Sequence, residues 1–254
     1  MADEVLLERD GGILTITMNR PQARNAADGA LARAVADALD LLDSDVELRL
    51  AILTGAGGTF CAGMDLKAFL TGDTPDIPGR GFAGITACPP QKPVIAAVEG
   101  YALAGGCEVA LACDMIVAAR DAKFGLPETK RGLVAGAGGL FRLPQRIPAN
   151  IAMQYALTGD QFSAEEAARW GLVNILTESG GTLTAARELA ARIVANGPLA
   201  VWTTKQIVAE SGDWPADERW QRQQRLLETV FTSADATEGA RAFAEKRPPV
   251  WVGR

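Results

Sequence analysis

PVIAAVEGYALAGGCEVALACDMIVAARDAKFGLPE, residues 93–128, contains the pattern that decides the fold. It holds two continuous apolar runs, PVIAAVEG and MIVAAR, which are typical of strands covered on both faces. A similar run, LAILTG, begins at Leu50. Each run is followed by a Gly-containing or polar turn and a second short segment, in FCAGMDLK, GYALAGGCE and AKFGLPE. The recurrence predicts a loose repeat of stacked β-β-α units.

The sequence before and after this core indicates further elements. VLLER and ILTITMN alternate in polarity around Asp10-Gly11-Gly12 and predict a β-hairpin. Asp28 is expected to cap an amphipathic helix. After about residue 148 the pattern becomes helical, and Ser163 with Glu166 has capping-box spacing. We therefore expect an α/β core followed by a smaller helical region whose apolar stripes suit subunit contacts.

Composition limits the class of protein. The 254 residues, 48% of them hydrophobic, can bury one main core. A net charge of −6 argues against a nucleic-acid partner, because phosphate contacts need a concentrated basic surface. The sequence shows no signal-peptide pattern and no run of ~20 apolar residues, so we expect a cytoplasmic protein with no membrane partner. The four cysteines form no C-x-x-C pair, which predicts buried free thiols.

The sequence contains no histidine. Histidine is the commonest general base and the usual partner of a nucleophilic Ser or Cys, so its absence excludes Ser-His-Asp and Cys-His chemistry. It also removes most transition-metal sites, and we expect no metal. Proton transfer must therefore use Glu, Asp, Lys, Tyr or Cys.

Two glutamates are candidates for that role. Glu108 lies among alanines, a valine and a leucine just after Gly105-Gly106. The dipole of a helix that begins there favours the anion, whereas the apolar neighbours favour the neutral acid. Glu128 follows one strand later, where chain return could bring it opposite Glu108. The pair could activate a water; the alternatives are that Glu108 caps free helix N–H groups, which this residue taken alone favours, and that Glu128 is a solvated loop residue.

The glycines suggest a second kind of group. Gly105 permits close approach of the backbone at a helix start, and FCAGMD offers a comparable exposed amide at Met64. Two such amides converging on one oxygen would form an oxyanion hole. Tight helix–strand packing is the other explanation of Gly105-Gly106. Neither a P-loop nor a G-x-G-x-x-G fingerprint is present.

These residues resemble a known family. The stretch from Pro93 through ETKRGLVAGAGG, together with TGAGGTFCAGMDLK and the final AFAEKR, is similar to the enoyl-CoA hydratase/isomerase (crotonase) superfamily. The similarity runs from NRPQARNA to the C-terminus. It implies a crotonase-like spiral of ββα units, with residues 1–195 forming the repeat core that carries the active site and residues 196–254 a C-terminal helical trimerisation region.

The resemblance also implies roles for individual residues. Glu108 and Glu128 match the two acid/base carboxylates of the hydratases, the amides of Met64 and Gly105 match the groups that hold the thioester oxygen, and Gly136 matches a position near the catalytic water. The positions that match CoA-binding segments are Arg24, Ala62, Asp65, Leu66, Phe243 and Lys246, the last two often acting across a subunit boundary. The family implies acyl-CoA as substrate, no separate cofactor, and a homotrimer or dimer of trimers.

Some residues depart from the pattern of typical hydratases. Ala104 replaces a frequent Gly, Ala135 a common Pro, and Leu140-Phe141 a Thr-Gln pair. LFRLP and the ending EKRPPVWVGR are similar to carnitinyl-CoA dehydratases. We expect an enoyl-CoA hydratase; a carnitinyl-CoA dehydratase-like hydratase, a Δ3,Δ2-enoyl-CoA isomerase and an acyl-CoA-binding protein with little turnover remain alternatives. The Pro/Gly-rich stretch Thr71–Gly84 is expected to be a mobile loop beside the acyl pocket.

Overall fold

The computed structural model describes residues 4–253, which form eleven strands and ten α-helices. The strands are β1 (Val5–Asp10), β2 (Ile13–Met18), β3 (Leu50–Gly55), β4 (Asp76–Ile77), β5 (Gly81–Phe82), β6 (Val94–Val98), β7 (Tyr101–Leu103), β8 (Met115–Ala119), β9 (Lys123–Gly125), β10 (Gln161–Ser163) and β11 (Ile175–Thr177). The helices are α1 (Gly29–Ser44), α2 (Leu66–Leu70), α3 (Gly105–Ala112), α4 (Gly139–Arg146), α5 (Ala149–Thr158), α6 (Ala164–Arg169), α7 (Thr182–Val194), α8 (Pro198–Glu210), α9 (Arg219–Phe231) and α10 (Ala234–Glu245). No helix within residues 4–253 is long and apolar enough to span a membrane.

The main sheet has six strands in the order β1-β2-β3-β6-β8-β11. The β1–β2 pair is the predicted antiparallel hairpin, and the remaining neighbours are parallel. Both faces of the central strands are covered, as their continuous apolar runs predict. In β3, Leu50 and Ile52 pack with α7 on one face, while Ala51 and Leu53 belong to the core cluster that includes α1 on the other.

A second sheet confirms the repeat. Its order is β10-β9-β7, and β7 and β9 are the second segments that follow β6 and β8. Ala102 of β7 pairs in parallel with Phe124 of β9 and forms an isolated parallel bridge with Cys61, which lies in the segment after β3. The second segments of the three repeats therefore stack beside one another, and the turns that follow them meet at one place.

Two helix starts have the predicted caps. The side chain of Asp28 accepts a hydrogen bond from the Leu31 amide at 2.9 Å and begins α1. Ser163 and Glu166 form a complete capping box at the start of α6. These caps satisfy amide groups that the first turn of a helix leaves without intrahelical partners.

Three expectations need correction. The region after residue 148 is not purely helical, because β10 and β11 lie in it; each has three residues, too few to show a periodicity, and pairs with a strand distant in sequence. The stretch Thr71–Gly84, expected to be a loop, is not irregular throughout, because it contains the small antiparallel pair β4–β5. Cys61, Cys107 and Cys113 are buried free thiols as expected, but Cys88 is exposed.

The predicted division at residue 195 separates α7, which packs on the main sheet, from α8–α10. Helix α8 also contacts the region before residue 195. The Trp202 indole donates a hydrogen bond to the Arg49 carbonyl, and Lys205 forms an ion pair with Asp114 at 2.8 Å. The two-region division stays a prediction. Its outer limits, at residues 1–3 and 254, lie outside the described residues.

Candidate active site

One cavity of about 1060 Å³ lies where the turns of the three repeats meet. Ala62 and Met64 come from the turn after β3, Gly105 from the start of α3, and Glu128 from the turn after β9. The hairpin β4–β5 contributes Asp76 and Phe82, so the stretch Thr71–Gly84 does border the cavity. The repeat thus places chemistry-bearing groups from distant parts of the sequence in one wall.

Glu108 lies in the first turn of α3 and is buried, with 2% of its surface exposed. Its Oε1 accepts hydrogen bonds from the amides of Ala137 at 2.7 Å and Gly139 at 2.9 Å. Burial raises the pKa of Glu108 to about 7, although the two amide hydrogen bonds oppose the rise. A carboxyl with such a pKa can both give and take a proton near neutral pH.

The helix-capping interpretation of Glu108 is therefore partly correct, but for a different helix. Gly139 is the first residue of α4, so Glu108 satisfies an amide at the start of α4 rather than of its own helix. Ala104 makes no side-chain cap for α3. The same bonds that serve α4 also hold the carboxyl in one position.

Glu128 sits in a short 3-10 helix, Pro127–Arg131, and is partly buried. Within the described part of the chain, its Oε2 is buried and has no hydrogen-bond partner. Burial raises the pKa of Glu128, and the nearby Arg131 opposes the rise. The negative charge of Glu128 also raises the pKa of Glu108, and both residues line the cavity.

Met64 and Gly105 both line the cavity, and Gly63, the residue before Met64, lies close to the Gly105 amide. Gly63 between Ala62 and Met64 has φ of 106°, and a Cβ there would lie 2.9 Å from the Cβ of Ala104 and 3.5 Å from the Gly105 nitrogen. Across residues 4–253, neither the Met64 nor the Gly105 amide donates a hydrogen bond to another protein atom. Two backbone amides that have no protein partner and lie in one cavity wall can both donate hydrogen bonds to one ligand oxygen.

Packing also requires glycine at positions 105 and 106. A Cβ on Gly105 would lie 2.3 Å from the Phe82 ring, and one on Gly106 would lie 2.1 Å from the Cys61 carbonyl oxygen. Close packing is therefore one reason for glycine at these two positions, and the oxyanion-hole role of Gly105 stays a prediction. A side chain at residue 105 would displace the Phe82 ring from the cavity wall, so such a substitution cannot separate the amide from its packing. Ala104, at φ 52°, occupies a backbone region that favours glycine.

Gly136, Ala62 and Leu66 also line the cavity. Gly136 is exposed, and a Cβ there would meet nothing closer than a carbonyl oxygen at 3.8 Å. Arg24 and Asp65 are not in the cavity wall. The guanidinium of Arg24 lies 5.8 Å from the centre of the Tyr101 ring, while Asp65 caps α2 and pairs with Arg20 at 3.0 Å.

Phe243 and Lys246 lie at the end of α10, away from the cavity wall of their own chain. Phe243 is 87% exposed, and Lys246 ends the helix with φ of 53°. A role at this cavity would require them to reach the cavity of a second subunit. The structure thus brings Glu108, Glu128, Met64, Gly105 and Gly136 together, and leaves the two C-terminal residues apart.

Three groups beside Glu108 are not predicted from the sequence: the amides of Ala137 and Gly139 and the side chain of Arg142. The amides carry no signal in residue type, because any residue but proline supplies one. Arg142 stands in LFRLP, directly after Leu140-Phe141, and those two departures point to substrate choice rather than to the charge of Arg142. No group of three or more His, Cys, Asp or Glu side chains within residues 4–253 could hold a metal ion.

The model of one protein family, enoyl-CoA hydratase/isomerase, matches residues 8–254. The chain belongs to the enoyl-CoA hydratase/isomerase family. Among curated members, a carnitinyl-CoA dehydratase from Salmonella typhi is 46% identical over 263 aligned residues, covering 100% of both chains.

Solved structures of family members share the fold. An enoyl-CoA hydratase from Mycobacterium marinum is 61% identical with a TM-score of 0.98, covering 99% of this chain and 100% of that chain. A carnitinyl-CoA hydratase from Mycobacterium avium is 44% identical with a TM-score of 0.80, covering 100% of each chain. The crotonase-like α/β fold is thereby confirmed, and similar relatives include both plain enoyl-CoA and carnitinyl-CoA enzymes of the family.

Proposed function

We propose that this protein is an enoyl-CoA hydratase that adds water across the α,β double bond of an acyl-CoA thioester. The observation that carries the proposal is that one cavity is lined by two carboxyls with raised pKa, buried Glu108 and partly buried Glu128, and by two backbone amides without a protein partner. Hydration needs these groups: a proton acceptor for water, a proton donor for the α-carbon, and a partner for the charge that develops on the thioester oxygen.

The thioester oxygen would accept hydrogen bonds from the Met64 and Gly105 amides. As water attacks the β-carbon, negative charge moves onto that oxygen in an enolate-like transition state. Amides already oriented toward it stabilise this charge by ~2.7–4 kcal/mol per donor. Because neither amide has a protein partner within the described residues, they need not break an existing protein bond to bind the substrate.

Glu108 and Glu128 would divide the proton transfers. The buried Oε2 of Glu128 has an unused acceptor site suited to a water, and Oε1 of Glu108 is held by two amides. Repulsion between the two carboxylates favours a state in which one is protonated and the other is ionised. One can then take a proton from water while the other delivers one, and Gly136 would lie beside that water. The reaction needs no metal and no separate cofactor.

CoA would bind along Ala62 and Leu66, which line the cavity, with Arg24 and Asp65 flanking them. Phe243 and Lys246 would contact the CoA of a neighbouring subunit in a homotrimer or dimer of trimers. Large apolar side chains that remain exposed on the C-terminal helices support such an assembly; they are Val208, Trp220, Phe231 and Phe243.

A carnitinyl-CoA dehydratase-like activity is the second candidate. Asp76 lines the cavity, is exposed, and forms no ion pair within residues 4–253. An unpaired carboxylate beside the acyl region suits an acyl group with a quaternary ammonium. The LFRLP stretch and the carnitinyl-CoA relatives agree with it. A Δ3,Δ2-isomerase would need only one base, and an acyl-CoA-binding protein would need neither glutamate.

Hydration of crotonyl-CoA tests the proposal through the loss of absorbance of the conjugated thioester. The proposal expects turnover that depends on enzyme concentration, whereas a binding protein would give none. If crotonobetainyl-CoA is hydrated much faster than crotonyl-CoA, and Asp76→Asn removes that preference, the second candidate is correct. Turnover of 3-enoyl-CoA without hydration of any 2-enoyl-CoA would contradict a hydratase function.

A further inference from the structure

We propose that Arg142 is a positioning residue that holds the amides bonded to Glu108 and ties them to the opposite wall of the cavity. The inference rests on the proposed function only in so far as Glu108 acts in hydration. Arg142 lies in α4, one turn after Gly139, and has no role in the capping or core of that helix.

On one side, Arg142 contacts the backbone segment whose amides donate hydrogen bonds to Glu108. The guanidinium of Arg142 donates to the Ala137 carbonyl at 3.3 Å, and the amide of Ala137 donates to Glu108 at 2.7 Å. Ala137 is thus hydrogen-bonded at its carbonyl by Arg142 and at its amide by Glu108. The guanidinium also covers Gly138, where a Cβ would lie 2.2 Å from a nitrogen of Arg142. The turn that supplies the Glu108 hydrogen bonds therefore packs against Arg142.

On the other side, Arg142 contacts the segment that follows the β4–β5 hairpin. Arg142 donates to the Thr86 carbonyl at 2.6 Å, and the Thr86 amide donates to the Phe82 carbonyl at 3.3 Å. The Phe82 ring packs against Gly105, and both residues line the cavity. A single planar guanidinium therefore links the backbone beside Glu108 to the segment that carries Phe82.

Charge supplies a second effect that can be measured separately. The Arg142 cation lowers the pKa of Glu108, while Glu128 from the 3-10 helix raises it, and Cys107 is the titratable neighbour on α3 itself. Arg142 is partly buried, which makes its own charge costly unless carbonyl oxygens surround it. Lysine could replace the charge but not the fork that reaches two carbonyls.

The test compares Arg142→Gln, Arg142→Lys and Arg146→Gln in the full-length protein. Arg146 is the matched control, because it lies one turn later on α4 and donates to the Cys113 carbonyl at 2.7 Å. The readouts are kcat and KM with the substrate that the wild type hydrates, the thermal midpoint, the Ala137 amide exchange rate, and the Glu108 carboxyl pKa from ¹³C NMR titration assigned with Glu108→Gln.

Arg142→Gln should lower kcat by about tenfold or more, because small misplacement of a reacting group already costs rate on that scale, with KM within about twofold of wild type. It should raise the Glu108 carboxyl pKa by about half a unit or more, since an opposite charge is lost, and speed Ala137 amide exchange. Arg142→Lys should restore the pKa but not kcat. Arg146→Gln should leave all readouts except the thermal midpoint unchanged.

Wild-type kcat and Ala137 exchange in Arg142→Gln would overturn the inference. So would full rescue of kcat by lysine, which would make charge alone responsible. Equal loss of kcat and thermal stability in the Arg142 and Arg146 variants would assign a purely structural role. If the wild type hydrates no acyl-CoA, the proposed function fails, but the carboxyl titration and the Ala137 exchange rate still decide whether Arg142 positions Glu108.

Discussion

Glu108 combines two properties that usually exclude each other. Its carboxyl is buried among apolar residues, which opposes ionisation, and it accepts two amide hydrogen bonds, which favour ionisation. Burial is the larger effect, so the pKa rises to about 7 rather than falling. A carboxyl that is costly to ionise reduces the stability of the folded protein at neutral pH, and that cost can be measured.

Stability should fall as pH rises through the range in which the folded and unfolded states differ in protonation. The pKa of Glu108 is about 7 in the folded protein, compared with an ordinary value of 4.5. Between pH 4.5 and 7 the unfolded state therefore releases a proton that the folded state keeps. Glu108→Gln does not titrate and can still accept both amide hydrogen bonds. Relative to wild type, the variant should gain on the order of 3 kcal/mol of unfolding free energy as pH rises from 4.5 to 7.

Urea unfolding of both proteins at a series of pH values between 4.5 and 8 measures this gain. The difference should become nearly constant about one pH unit above 7, because Glu108 is then largely ionised in both the folded and the unfolded state. Two parallel stability curves would show that Glu108 ionises in the fold as easily as in the unfolded chain.

At the scale of elements, Arg20 joins two helix starts. Its guanidinium pairs with Asp28, which caps α1, at 2.9 Å, and with Asp65, which caps α2, at 3.0 Å. It also donates to the Ala26 carbonyl. Met64 immediately precedes Asp65, so the same cluster fixes the backbone that presents the Met64 amide.

Arg20→Gln should lower the unfolding free energy by roughly 1–3 kcal/mol, since charged groups with low exposure lose their hydrogen-bond partners. Arg9→Gln is the control, because Arg9 forms its ion pair with Asp45 while 52% exposed, and it should cost less than about 1 kcal/mol. Denaturant unfolding compares the two. Equal small losses would mean that the two caps hold α1 and α2 without Arg20.

Elements with a local signal could be predicted from the sequence, and elements defined by distant partners could not. The β1–β2 hairpin follows from Asp10-Gly11-Gly12, and α1 follows from Asp28 and the apolar stripe after it. In contrast, β10 pairs with β9, and three residues show no pattern of their own. The site divides in the same way: Glu108 stands out as a carboxyl among apolar residues, but its amide partners Ala137 and Gly139 have no distinctive side chains.

At the scale of the whole molecule, the C-terminal helix raises the question of assembly. Phe243 and Lys246 do not line the cavity of their own chain, yet they match family positions that contact CoA. The resemblance supplied these two residues, and no spacing or periodicity would have done so. Their contact with CoA therefore requires a neighbouring subunit that brings the end of α10 to the cavity.

Lys246→Ala should raise KM for acyl-CoA and leave kcat nearly unchanged, because a cation that binds a CoA phosphate acts equally on the ground state and the transition state. Arg241→Ala, which removes another exposed cation of α10, is the control and should change neither constant. Steady-state kinetics measure both, with sedimentation to verify that assembly is intact. Unchanged KM would leave Lys246 as a solvated lysine.

The central claim, that Glu108 and Glu128 act together on one water and one alkene, is tested most directly by a double-mutant cycle in the hydration assay. Glu108→Gln and Glu128→Gln keep side-chain size but lose the titrating proton, so each should lower kcat by about 10²–10⁴-fold with the fold intact by circular dichroism. The double variant should lose much less than the product of the two single losses. If one substitution is nearly silent, or hydration survives both with little loss, the two-carboxylate mechanism is wrong.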